Sequence, residues 1–265
     1  AQGKPQNKYR IQLKSGATYQ LTKSGRREQL GKTGDLDLHN SNVSIETYGG
    51  SQQATIDASG LADPERVFHV YGDSTLELNN IKITGGSVEN DRGGGLLVAD
   101  SDVTLKHSTV VGNFANDGGG FYAKDGSVTL IETDLVRNTA KGFGGGIFTT
   151  GSDVTVEGGR FERNQTNSNK GGGMYAVVEG FDEVVLDIKK TKFSGNSSRN
   201  GGGAIAGVDG VEIIAHDVTF QRNATTGGEG GGAIFVDGQN RKQGKLKVTG
   251  KSLFQDNTGK NTNLG

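Results

Sequence analysis

A phrase of small residues followed by a large apolar residue recurs six times along the chain. In each copy, two glycines precede a glycine or alanine and then an apolar side chain. The apolar members are Leu96, Phe121, Ile147, Met174, Ile205 and Ile234. They are separated by 25 to 31 residues, and self-similarity at a period in this range is typical of solenoid proteins. The pattern therefore predicts stacked repeats.

A second phrase keeps the same period and places an asparagine three residues after an apolar side chain. Its six asparagines are Asn113, Asn138, Asn164, Asn196, Asn223 and Asn257. Between the two phrases lies a short run of alternating apolar and polar residues, such as residues 103–105 and 128–130. A period of two is typical of a half-buried β-strand. Each repeat is therefore predicted to contain about three short strands joined by turns.

These repeats predict an all-β chain folded as a single-stranded parallel β-helix of about nine rungs, where one rung is one turn of the solenoid. In a helical repeat, each interior glycine would cost about 1 kcal/mol relative to alanine. A single rung cannot bury its own apolar face, whereas stacked rungs share one core. We assign residues 1–34 to N-terminal cap strands and the first rung, 35–90 to irregular rungs, 91–257 to the six regular rungs, and 258–265 to a polar tail.

The alternation within the regular rungs predicts which side chains point outward. The large apolar residue of each glycine phrase points into the core, so the next residue points out. The aromatic members of this outward column are Tyr122, Phe148, Tyr175 and Phe235. Stacked, they predict an exposed aromatic strip that suits sugar rings or another subunit. The alternative is that insertions at residues 177–182, 224–229 and 237–244 fold over the strip and bury it.

The six asparagines predict a ladder, because equivalent positions in stacked strands lie about 4.8 Å apart. Side-chain amides at this spacing hydrogen-bond from one rung to the next. Four asparagines also fit the N-glycosylation sequon, namely Asn42, Asn164, Asn196 and Asn223. Three of these four belong to the ladder, where a glycan would break the stack. We therefore favour the structural interpretation.

Candidates for acid–base or metal chemistry are scattered along the sequence. The outward column of the second strand is mostly neutral, with Thr104, Thr129, Thr155, Val185, Glu212 and Lys247. Six acids lie beside turns, namely Asp100, Asp102, Asp125, Asp153, Asp209 and Asp237. They suit turn chemistry first and Ca²⁺ second. The four histidines, His39, His69, His107 and His216, occupy different rungs without metal-ligand spacing. We therefore predict no catalytic residues, no metal site and no cofactor, and keep Ca²⁺ as the alternative.

Composition excludes several classes of partner. The 265 residues carry 29 basic and 30 acidic side chains without a long run of either sign, which argues against nucleic acid and anionic membranes. The strongest basic cluster, Arg26-Arg27, is interpreted as a solvated turn. No apolar stretch reaches the roughly 20 residues of a membrane span, so we expect no membrane insertion. Without cysteine, the chain has neither disulfides nor thiolate metal sites.

Residues 34–38, 54–58, 66–70 and 76–86, followed by the glycine and asparagine phrases, resemble a known family. They are similar to bacterial secreted right-handed parallel β-helix proteins, often with polymorphic-outer-membrane-protein-like repeats. The resemblance covers residues 9–257. It implies a right-handed solenoid and export to the cell surface or medium, with Ala1 as a processed terminus. It supplies no catalytic motif.

Two functions follow as hypotheses. The first is a non-catalytic extracellular β-helix that is structural, adhesive or assembling, and that binds carbohydrate along a lateral face. Its partners would be an extracellular polysaccharide, another surface protein, or further copies stacked end to end on an open C-terminal rung. The alternative is a polysaccharide lyase, hydrolase or epimerase, by analogy of fold. Its residues would come from Asp182, Glu183, Glu212, His216, Asp217 and Lys245. Two carboxylates and an Arg or Lys converging in one lateral groove would favour the alternative.

Overall fold

A computed structural model describes residues 8–23, 25, 34–179, 183–228, 230–238 and 243–259. The described chain is all β and contains 32 strands, which assemble into four parallel sheets. The predicted parallel β-helix is therefore confirmed. The described residues include no helix that could cross a membrane. The Arg26-Arg27 pair and residues 260–265 lie outside the described residues.

Each sheet collects one strand from successive rungs. Sheet I contains β3 (Leu36–His39), β6 (Phe68–Tyr71), β10 (Leu96–Ala99), β14 (Phe121–Lys124), β18 (Ile147–Thr150), β22 (Met174–Val177), β26 (Ile205–Val208) and β30 (Ile234–Val236). Sheet II contains β1 (Lys8–Lys14), β4 (Asn42–Tyr48), β7 (Thr75–Asn79), β11 (Asp102–Lys106), β15 (Ser127–Ile131), β19 (Asp153–Glu157), β23 (Val185–Lys189), β27 (Glu212–His216) and β31 (Lys245–Thr249).

Sheet III follows sheet II in each rung. It contains β2 (Thr18–Gln20), β5 (Ala54–Asp57), β8 (Ile81–Thr84), β12 (Thr109–Val111), β16 (Asp134–Val136), β20 (Arg160–Glu162), β24 (Lys192–Ser194), β28 (Thr219–Gln221) and β32 (Leu253–Gln255). Sheets II and III each contain nine strands, which agrees with the predicted number of rungs.

The regular rungs contain a fourth strand that the sequence pattern does not predict. Sheet IV contains β9 (Ser87–Arg92), β13 (Phe114–Asp117), β17 (Thr139–Ala140), β21 (Gln165–Thr166), β25 (Ser197–Ser198) and β29 (Ala224–Thr225). Most of these strands are only two residues long and directly follow a ladder asparagine. Such a length is too short to display a period of two, so the prediction of about three strands per rung was incomplete.

The core runs along the axis of the solenoid. The large apolar residues of the first five glycine phrases are fully buried, and Ile234 in the sixth is partly buried against them. In a second inward column, the aromatic rings stack on one another with centroids 4.6 to 5.3 Å apart. They belong to Phe161, Phe193, Phe220 and Phe254. The predicted inward register of sheet I is therefore correct.

The turns between sheets I and II use left-handed backbone. Asp100, Asp125 and Asp209 have φ of 49°, 53° and 56°, a conformation that aspartate tolerates better than most residues. This supports turn chemistry at these three positions. Asp102 and Asp153 instead belong to β11 and β19 of sheet II, so a turn role does not apply to them.

Candidate functional site

The predicted aromatic strip lies on the outward face of sheet I, but it is not a free surface. Tyr122, Phe148 and Tyr175 are only 3%, 9% and 8% exposed. Neighbouring rings meet edge to face with centroids 5.0 Å apart, and the row packs with Leu97, Phe143 and Phe235 into a second hydrophobic cluster. The expectation of an exposed strip is therefore wrong. Burial raises the pKa of both tyrosines.

Segments that precede the glycine phrases help to cover this row. The ring of Phe143 lies 4.5 Å from that of Tyr175 and 6.0 Å from that of Phe148. Its backbone N–H donates to Asp117 Oδ1 at 3.0 Å, which holds the segment in place. At one end of the row, Arg92 stacks over the Tyr122 ring and donates to its hydroxyl at 2.9 Å. The alternative of a covered strip is therefore correct, although Phe143 lies outside the insertions proposed as the cover.

The six asparagines form one continuous ladder through the interior. In the first five, the backbone N–H and the side-chain Nδ2 donate to Oδ1 of the asparagine in the next rung, at 2.9 to 3.1 Å. The second Nδ2 proton bonds a backbone carbonyl of the preceding rung. At the start of the column, the Gly86 N–H donates to Asn113 Oδ1 at 3.0 Å. Asn164, Asn196 and Asn223 are fully buried, so their sequons are inaccessible in the folded chain.

A cluster of charged residues occupies the first rungs of sheet I, in the same outward column as the aromatic row. The register places Asp37 beside His69, followed by Leu97 and Tyr122. His69 Nδ1 lies 3.2 Å from Asp37 Oδ1, and ligand atoms of Asp35, Asp37 and His69 lie within 4.8 Å of one another. This convergence was missed, since all four histidines were expected to be isolated.

Arg66 closes this cluster. Its Nη1 lies 3.6 Å from Asp35 Oδ2 and its Nη2 lies 2.6 Å from Asp91 Oδ2. The side chains of Asp35 and Arg66 are 8% exposed, and that of Asp37 is 3% exposed. The two carboxylates and the imidazole could each offer an atom to a cation. The Arg66 guanidinium already supplies positive charge to Asp35, so the geometry is that of an enclosed ionic network.

Burial governs the protonation of this network. Desolvation raises the pKa of Asp35 to about 7, against an opposing effect of Arg66. Desolvation also lowers the pKa of His69, and the positive charge of Arg66 acts in the same direction. The rings of His69 and His39 both stack on the ring of Tyr71, with centroid distances of 4.4 and 4.7 Å. The cluster is therefore poised to exchange a proton near neutral pH.

We predict that Asp35→Asn removes a pH dependence of stability. The native pKa of Asp35 lies above its ordinary value of 3.8. Its contribution to the free energy of unfolding is therefore complete below pH 3.8 and is lost as the pH rises through about 7. Between pH 5 and pH 7, the free energy of unfolding of the wild type should fall by about 2 kcal/mol relative to that of the variant, at up to about 1.4 kcal/mol per pH unit. His69 acts in the opposite direction, so urea unfolding of both proteins is compared at each pH. If the free energy of unfolding had the same pH dependence in the wild type and in Asp35→Asn, the prediction would be wrong.

Among the residues proposed for an enzymatic alternative, those that the structure describes do not form a convergent site. Glu212 and Lys245 are neighbours in sheet II, and His216 contacts Asp217 at 3.2 Å and Thr249 at 2.9 Å. Glu212 and His216 lie at opposite ends of β27, about 13 Å apart at 3.3 Å per residue. Glu183 is exposed, and Asp182 lies outside the described residues.

The C-terminal rung leaves apolar core positions uncovered. Leu246, Val248 and Phe254 are 47%, 38% and 48% exposed, although their partners in the preceding rung, Ile213, Ala215 and Phe220, are fully buried. A depression of about 410 Å³ opens beside Leu246, between β30 and β31. The described structure therefore ends in an apolar surface at the axis of the solenoid.

Comparison with protein families gives one match, to the right-handed β-helix region, over residues 66–257. No curated protein and no solved structure matches the chain significantly. The matched segment covers nearly three quarters of the sequence and includes all six glycine phrases and the complete asparagine ladder. The chain belongs to the right-handed β-helix family.

Proposed function

We propose that the protein is a non-catalytic extracellular β-helix with a structural and adhesive role. The observation that carries this proposal is the burial of the convergent acids. Asp35, Asp37 and Arg66 do meet on one lateral face, yet none of these side chains is more than 8% exposed. A polymer needs an open groove to reach two carboxylates. This cluster therefore suits the stabilisation of the first rungs better than catalysis.

The charges on the lateral surfaces support the same role. They form opposite-charge pairs between or within rungs, as in Lys106–Glu77 at 2.8 Å, Lys189–Asp187 at 2.6 Å and Arg160–Asp134 at 3.2 Å. Hydrogen bonds from Lys106 and Lys8 lower the pKa of the Glu77 carboxyl, whereas a general acid must carry a proton. Secretion or surface display is part of the proposal, since the family fold suits extracellular proteins and the sequence resembles exported repeat proteins.

A turnover screen tests the proposal. Purified protein is incubated with acidic and neutral polysaccharides, with and without Ca²⁺, and unsaturated products and new reducing ends are measured. We expect neither product, because the acid pair is enclosed. Retention on an immobilised polymer without turnover agrees with an adhesive role. Product formation above that of heat-denatured protein would overturn the proposal.

One observation favours a second candidate, a polysaccharide hydrolase. Burial raises the pKa of Asp35 to about 7, and its carboxyl lies near that of Asp37 with oxygens within 4.8 Å. Glycoside hydrolysis uses a pair of carboxyl groups, one of which carries a proton. Asp35 would be the acid, Asp37 the nucleophile or base, and Arg66 the binding group for an acidic sugar. Turnover that disappears in both Asp35→Asn and Asp37→Asn, while a lateral Thr129→Ala control retains it, would establish this candidate.

A further inference from the structure

We propose that the C-terminal rung binds an extended protein segment as one further parallel rung, with acidic side chains outward and apolar side chains inward. This inference builds on the proposed adhesive role and gives it a partner of defined chemistry. It depends on three properties of the end: uncovered apolar positions, unmet hydrogen-bond donors and a row of positive charge.

The apolar positions define where the segment packs. Leu246 and Val248 in β31 and Phe254 in β32 occupy inward columns whose members are buried in the central rungs, as Ile213, Ala215 and Phe220 are. Phe254 already stacks on Phe220 at 4.7 Å, and its other face is open. A segment with apolar residues at these three positions would bury a surface that is costly to leave in water.

The asparagine ladder supplies a specific polar requirement. Asn257 accepts two hydrogen bonds from Asn223 and donates one to the carbonyl of Phe220. In the other five asparagines, the backbone N–H and the Nδ2 proton that does not bond the preceding rung share one acceptor in the following rung. Within the described residues, no acceptor meets these two donors of Asn257. An asparagine carbonyl in the docked segment would satisfy both.

The charges at the free edge select the partner. Lys245 and Lys247 point outward from β31 and are exposed. The register of sheet II carries these columns back to Lys8 and Arg10 in β1. A second copy stacked head to tail would therefore place lysine beside lysine and lysine beside arginine, which is unfavourable in adjacent strands. Acidic residues at the outward positions give the complementary arrangement.

The chain itself provides a probe for the experiment. Residues 153–164 place Asp153 and Glu157 outward, Val154 and Val156 inward, and end in a stacked Phe161 and a ladder Asn164. Docked in the register of sheet II, Asp153 and Thr155 of such a segment face Lys245 and Lys247. The synthetic peptide therefore has this sequence with the change Thr155→Glu. A control peptide carries lysine at positions 153 and 155, and another carries the change Asn164→Ala.

Binding is followed by amide chemical shifts of the ¹⁵N-labelled protein at low and high salt. We expect saturable binding of the acidic peptide, with the largest shifts at Asn257 and in β31 and β32, and at least tenfold weaker binding of each control peptide. Lys245→Glu/Lys247→Glu should reverse the preference toward the lysine peptide, whereas the matched change Lys82→Glu/Lys192→Glu on sheet III should not. Circular dichroism verifies that both variants are folded.

Four outcomes would overturn the proposal. Three of them are the absence of binding by the acidic peptide, equal binding of the acidic and lysine peptides, and shifts located away from the last rung. The fourth is a concentration-dependent increase in sedimentation coefficient that Phe254→Asp abolishes, which would assign the surface to a second copy. Polysaccharide turnover would refute the proposed function while leaving peptide binding unaffected, so the two failures are distinguishable.

Discussion

Asn164→Ala should destabilise the protein by about 3 to 6 kcal/mol. Asn164 is fully buried and takes part in five ladder contacts. Its Oδ1 accepts from the backbone and side-chain amides of Asn138 at 3.0 Å, and its Nδ2 donates to the Leu135 carbonyl at 2.8 Å and to Asn196 Oδ1 at 3.0 Å. Alanine removes the partner of two donors and of one carbonyl, and each unsatisfied buried group costs about 1 to 3 kcal/mol.

Urea unfolding followed by circular dichroism measures this effect, with Asn42→Ala as the matched control. Asn42 is also a sequon asparagine, but it lies half-buried at the start of β4 and belongs to no ladder. We expect the control to change the free energy of unfolding by less than about 0.5 kcal/mol. A cost below about 1 kcal/mol for Asn164→Ala would mean that the ladder contributes little beyond the backbone sheets.

Gly145→Ala should destabilise the protein by at least about 3 kcal/mol. A Cβ at this position would lie 2.4 Å from the Gly172 oxygen, and 2.5 and 2.6 Å from the backbone oxygen and nitrogen of Gln165. All three are backbone atoms, one in the next glycine phrase and two in β21, so no side chain can rotate away. Relief requires the two rungs to separate, which weakens the contact between the Gly145 N–H and the Gly171 carbonyl at 3.1 Å. Overpacking without such freedom exceeds the usual cost of 1 to 3 kcal/mol.

The control for this substitution is Gly228→Ala. Neither glycine has a positive φ, and no heavy atom lies within 4 Å of a Cβ at position 228. Comparing the two substitutions therefore distinguishes the effect of close backbone approach from the general effect of adding a methyl group. Thermal and urea unfolding of both variants give the comparison. Equal stabilities would contradict the contact geometry of the glycine phrase.

The fold could be predicted because its period is repeated in the sequence. The inward position of Phe121 and the ladder position of Asn164 both follow from stacking equivalent residues. Contacts made by residues outside the repeat could not be predicted in this way. Phe143 lies between two phrases and has no aromatic equivalent in the neighbouring rungs, yet its ring covers Phe148 and Tyr175. The predicted strip was therefore placed on the correct face, and only its exposure was wrong.

The charged cluster escaped prediction for a related reason. Asp37 and His69 are 32 residues apart in the irregular rungs, where no glycine phrase fixes the register, so their contact at 3.2 Å has no signal in local spacing. Aligning the runs 36–38 and 68–70 as equivalent strands would have revealed it. The raised pKa of Asp35 depends further on burial and on the position of Arg66, which a residue pattern does not encode.

The asparagine ladder also gives the solenoid a chemical direction. At its beginning, the acceptor of Asn113 is satisfied by the Gly86 N–H, whereas at its end the donors of Asn257 face outward. All six amide dipoles are aligned, so successive hydrogen bonds polarise one another along the column. The two ends of the column are therefore chemically different: a rung placed after Asn257 has to offer a carbonyl to these donors, whereas the column begins at an acceptor that the Gly86 N–H already fills.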